Sequence, residues 1–167
     1  MLRPVIHGSR GFSLVEIMVV VMIISVLSML AIPAVARIQR RAKTSTIMND
    51  FRVFGTAFET YAHENGSWPA ETGVGVVPAV MATQLNSTAW LRKTPMGGQY
   101  NWDYNQIHFG TKITAAITIS ASATAPLALD VNQLLDLEYT IDKGSYDLLG
   151  GSFRIGTGLV PLYVVQP

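Results

Sequence analysis

The chain has 167 residues, a net charge of +1, a charged fraction of only 14% and no cysteine. That length suits one modest domain plus an attachment, and the near-neutral balance argues against an electrostatic nucleic-acid binder. Without cysteine there is no disulfide framework, no thiolate metal site and no cysteine nucleophile. His7, His63 and His108 are far apart and stand in no metal-ligand spacing, and no nucleophile elbow or phosphate-binding glycine loop is present. No catalytic constellation emerges, so an enzyme is not expected. Glu59 and His63, four apart, fit a solvated helix surface pair. Asn86-Ser87-Thr88 matches the short, common glycosylation sequon.

The first element in chain order is an apolar run from Leu14 to Ile32, broken only by Glu16, Ser25 and Ser28. As a helix it spans about 28 Å, close to the hydrocarbon thickness of a bilayer. The run is longer than a signal-peptide core, and Ala31-Ile32-Pro33-Ala34 is a poor cleavage site, so a membrane helix is predicted. Arg3 and Arg10 precede it, whereas Arg37, Arg40, Arg41 and Lys43 follow it. The charge count alone favours a cytoplasmic C-terminal side. Ser13 and Glu16 fit a capping box, with the carboxylate in the first helical turn. Capping does not explain the charge, because Gln would cap as well.

Arg10-Gly11-Phe12-Ser13-Leu14-Val15-Glu16, with the apolar run to Pro33 behind it, resembles the class III signal of type IV prepilins and type II secretion pseudopilins. The resemblance implies a leader at 1–11, cut between Gly11 and Phe12 by a prepilin peptidase/methyltransferase that then methylates Phe12. It implies a transmembrane and assembly helix at 12–33 in the bacterial inner membrane, N-terminus cytoplasmic. That topology overrides the charge count and leaves the globular domain periplasmic, or extracellular once in a filament. The implied partners are copies of the chain or related pilins and an inner-membrane assembly platform. Glu16 then has a physical role, pairing with the new Phe12 amine of a neighbouring subunit. At about 4 Å and an effective dielectric near 20 the attraction is about 4 kcal/mol. Desolvation subtracts from it, so the pair mainly fixes the register of a joining subunit.

Pro33 predicts a kink or local melting. Beyond it Ile47, Phe51, Phe54, Phe58 and Tyr61 form one apolar stripe, with Asn49, Asp50, Arg52 and Glu59 between them. One long helix is therefore expected from about Phe12 to His63, amphipathic over 34–63 and stopped at Gly66. The stripe is expected to pack on the sheet of its own domain. The basic cluster at 37–43 is read as an interfacial anchor to lipid head groups rather than a nucleic-acid site.

Over 64–167 the patterns predict a short helix at Val77 to Leu85 and a turn at Thr94 to Gly98. A hairpin is expected from Gln99–Tyr104 and Gln106–Phe109, and a third strand over Ile113–Ser120. Asp130 to Asp142 fits both periods and is assigned to a helix, capped by Asp130 and ended by Gly144. Ser152–Ile155 and Leu159–Val165 make a last hairpin, with Pro161 at an edge or bulge. The expected fold is α+β, a long helix laid on a small antiparallel sheet, which matches the pilin-like layout. Pro95-Met96-Gly97-Gly98-Gln99-Tyr100 resembles the Pro-Trp-Gly-x-x-Tyr stretch of major pseudopilins, and the missing disulfide also leans that way. Some pseudopilins bind calcium in a C-terminal loop, which makes Asp142 and Asp147 candidate ligands; no other cofactor is expected. The competing functions are a membrane-anchored periplasmic binding module that never polymerises and, weakest, an exported enzyme.

Overall fold

The computed structural model describes residues 13–167. The predicted cleavage and methylation positions, Gly11 and Phe12, lie outside them. The chain divides into two units, residues 1–39 and 40–167.

In the first unit, helix α1 (Leu14–Asn65) starts at Ser13, whose side-chain oxygen accepts from the Glu16 amide at 3.2 Å. The cap is therefore made, while the Glu16 carboxylate has no hydrogen bond among the described residues. Large apolar side chains from Leu14 to Ile38 are solvent-facing, and the helix is long and apolar enough to cross a membrane. Ser25 satisfies its hydroxyl on the Val21 carbonyl at 2.7 Å, the local solution a hydroxyl needs in an apolar helix. Helix α1 is continuous through Pro33, so the local melting predicted there does not occur. A proline removes a single donor, and the turns on either side keep the ladder.

In the second unit, the later part of α1 packs on a four-stranded antiparallel sheet. The strands are β1 (Gln99–His108), β2 (Thr111–Ser120), β3 (Phe153–Gly156) and β4 (Val160–Gln166), in spatial order β1-β2-β4-β3. The remaining helices are α2 (Ser87–Leu91) and α3 (Val131–Ile141). The predicted stripe is the core: Ile47, Phe51, Phe54 and Phe58 are fully buried and Tyr61 is half-buried. Phe58 stacks on Trp102 with centroids 3.8 Å apart, and Phe51 stacks on Tyr163 at 5.4 Å. Phe54 meets Tyr100 and Trp90 edge-on at 5.0 and 5.1 Å. Each buried ring contributes about 1.5–3 kcal/mol from area alone. The buried indoles of Trp90 and Trp102 donate to the Val76 and Pro69 carbonyls, both at 3.0 Å. Gly55 interrupts the stripe because a Cβ there would stand 3.2 Å from the Tyr163 ring.

Helix α1 ends as expected, with Gly66 at φ 70 and its amide on the Ala62 carbonyl at 2.9 Å. Helix α3 is also as expected. Asp130 caps it by accepting from the Asn132 amide at 2.9 Å, and Gly144 closes it at φ 96. The hairpin expected within 99–109 is not formed. That stretch is one ten-residue strand, β1, paired in a single register from Gln99↔Ser120 to His108↔Thr111. Asn105 takes φ 55 without turning the chain, and the reversal falls at Phe109 and Gly110, φ 48 and 81, a type I′ pair. Ile113–Ser120 is consequently in the second strand, not a third. Within the helix expected over Val77–Leu85 only a 3-10 turn at Ala79–Met81 forms. Helix α2 was not foreseen; Asn86 caps it by accepting from the Ala89 amide at 3.1 Å. Strand β4 is interior, yet its pairing with β2 begins at Leu162, so Pro161 withholds no donor from that ladder.

Candidate functional site

The first candidate is the opening of α1. Helix geometry places Glu16 in the first turn, exposed and in front of an apolar surface with no partner among the described residues. Pro33, the other predicted assembly residue, lies inside the same helix. An exposed apolar helix with one carboxylate at its start can embed in lipid or in a bundle of like helices, and an amine is the partner that would neutralise the acid.

The second unit holds a polar lock that periodicity reasoning passed over. Asp50 is only 6% exposed; it accepts from Arg92 at 2.5 Å and from the Tyr100 hydroxyl at 2.7 Å. Burial pushes the Tyr100 phenol far up, and the Asp50 carboxylate adds to the shift. The hydrogen bond to Asp50 raises the Arg92 guanidinium. Asp50 thus joins α1 to β1 and to the residue that ends α2. The signal was available: Asp50 stands three residues after Ile47 and four before Phe54, on the buried stripe. A second bridge joins Arg40 to Asp136 of α3 at 2.8 Å. On β1, burial pushes the Asp103 carboxyl up while His108, 3.4 Å away, pulls it down.

The two predicted calcium candidates are taken up by backbone. Asp142 accepts from the Ser152 amide at 2.9 and 3.0 Å and from the Phe153 amide at 2.9 Å. Asp147 accepts from the Leu149 amide at 3.1 Å. Among the described residues no group of three or more His, Cys, Asp or Glu side chains could hold a metal ion. The acids clamp the loop between α3 and β3. Glu138 of α3 is near them, fully buried, with neither carboxylate oxygen hydrogen-bonded among the described residues. Burial, then the charge of Asp142, pushes its carboxyl up to about 7. Glu59 and His63 line a shallow groove with Trp68 and Gln166 and form no ion pair with each other.

The comparisons with known proteins bear on both units. Residues 6–32 match the family described as the prokaryotic N-terminal methylation motif. The fold matches the major type IV pilin PilA1 from Clostridium difficile with a TM-score of 0.54 at 17% identity, over 78% of this chain and 98% of that one. No curated protein matches the sequence. The architecture is therefore the α+β fold of type IV pilins, a long N-terminal helix on a small antiparallel sheet. The chain carries the N-terminal methylation motif and has a pilin-like fold.

Proposed function

We propose that the chain is a structural subunit, a pilin or pseudopilin, of a type IV pilus or type II secretion filament. The observation that carries this reading is the methylation motif at 6–32 opening an exposed apolar helix that continues into a domain of pilin fold. In this reading the prepilin peptidase removes residues 1–11 at the cytoplasmic face and methylates Phe12. The subunit waits in the inner membrane with its domain on the far side. An assembly platform then extracts it, and the apolar helices stack. Glu16 pairs with the Phe12 amine of a subunit already in place and sets the vertical offset. The role requires no chemistry by the subunit itself.

Glu16→Gln tests it. The cap is made by the Glu16 backbone amide on Ser13, so Gln leaves it intact. The variant is expected to be processed and held in the membrane but absent from sheared or cross-linked filaments. Filaments at the wild-type level would sink the register role. A wild-type chain that is processed yet never cross-links to a second subunit would favour the non-polymerising binding module.

A further inference from the structure

Beside the start of the second unit, α1, α3 and the loop after α3 enclose an open groove of about 450 Å³. Arg41, Thr44 and Ser45 line it from α1, Asp136 and Tyr139 from α3, and Tyr146 from the loop. The two tyrosine rings lie together, centroids 5.3 Å apart, and are 52% and 64% exposed. Asp136 is neutralised by Arg40 at 2.8 Å, whereas Arg41 forms no ion pair among the described residues. Thr46, Thr56 and Thr60 of α1 each return their hydroxyl to the carbonyl four residues back. Thr44 does not: it is 5% exposed, and its hydroxyl, sealed from solvent, has no hydrogen-bond partner among the described residues. The groove therefore combines a cation with no ion pair among the described residues, the exposed Ser45 hydroxyl and two exposed amphipathic rings.

We propose that this groove takes the phosphate of an anionic phospholipid head group. Arg41 supplies the charge and the fork of donors, hydroxyls around the groove supply further hydrogen bonds, and the tyrosines lie against the glycerol backbone. The volume is in the range of small-ligand sites. Lipid is favoured over free phosphate because Arg41 stands three residues beyond Ile38, where the exposed apolar run of α1 ends. Tyrosine and arginine at such a boundary are the side chains of a membrane interface. The inference rests on the membrane topology proposed above, and it gives the basic cluster at 37–43 a use. Arg37, Arg41 and Lys43, placed against the positive-inside bias, are accounted for if phosphates meet them there.

The test uses the full chain, extracted from bacterial membranes in mild detergent and examined by native mass spectrometry. It is titrated with short-chain phosphatidylglycerol, with phosphatidylcholine and with inorganic phosphate. The expected result is one retained phosphatidylglycerol per chain, weaker retention of phosphatidylcholine, and no displacement by equimolar inorganic phosphate. Arg41→Gln is expected to weaken phosphatidylglycerol retention by about fivefold, as befits the loss of one cation at an anionic surface. Tyr146→Ser, at an exposed position, is expected to weaken it less. Retention unchanged by Arg41→Gln would overturn the proposal, and displacement by equimolar inorganic phosphate would overturn the lipid assignment. Recovery of the chain in the membrane fraction is scored separately. Its failure breaks the topology, whereas a membrane-held chain with unchanged lipid retention breaks only the groove.

Discussion

Replacing Glu138 by Gln is expected to stabilise the domain at alkaline pH and leave it nearly unchanged at pH 4. The Glu138 side chain is fully enclosed and neither oxygen has a hydrogen bond among the described residues. Burial, then the neighbouring charge of Asp142, raises its carboxyl from 4.5 to about 7. Between those values the folded protein holds a proton that the unfolded chain releases. The stabilisation from this group is therefore complete below the unfolded value and is lost as pH rises through the folded one. A carboxyl raised to about 7, with the Ser145 hydroxyl opposing the rise, makes the loss on the order of 2 kcal/mol above pH 8. Gln has the same shape and no charge to desolvate. All three tryptophans, Trp68, Trp90 and Trp102, belong to the domain, so their fluorescence reports its unfolding in urea even when the chain is held in detergent. The measurement is the stability difference between variant and wild type at pH 4, 6 and 8. A difference that grows by about 2 kcal/mol across that range supports the account. A difference independent of pH would show that the carboxylate finds water or a partner, and the reasoning would fail.

Asp50→Ala leaves the buried Tyr100 hydroxyl without its acceptor, while the half-exposed Arg92 guanidinium can turn to water, and a loss of about 1–3 kcal/mol in urea unfolding is expected. Asp50→Leu orphans the same two donors but fills the space that Ala leaves empty, so it should cost less. Gly110→Val puts a β-branched residue at φ 81 in the β1–β2 turn; a loss of about 1–2 kcal/mol is expected, with no change at the opening of α1.

The aromatic stripe of α1 was legible because a 4-3-4-3 spacing has only one helical face to occupy. The same pattern contained Asp50, three residues after Ile47, but its polarity disguised a buried position. Similarly, Glu138 lies four residues after the buried Leu134, on the inner face of α3. Periodicity ranks positions, whereas residue type decides whether a position is believed, and a buried acid defeats that second step. The β1–β2 hairpin was misplaced for a related reason. Asn105 is a turn-forming residue and Phe109 is not, yet the continuous register keeps the first in the strand and forces the second to φ 48. Helix α2 escaped because five residues carry too little period to read, and Asn86, its cap, was read only as part of a glycosylation sequon. The groove at Arg41 joins residues nearly a hundred positions apart, which no local pattern can bring together. The motif around Gly11 and Phe12 is the reverse case, read from the sequence and lying outside the described residues.

The most direct test of the central claim is the mass of the N-terminal peptide of the chain recovered from bacterial membranes. The account predicts a start at N-methyl-Phe12, with residues 1–11 removed. A start at Met1 would make the protein an ordinary anchored domain with Glu16 in a capped first turn. A start at or beyond Ala34 would make the apolar helix a discarded signal, and the filament reading would fall.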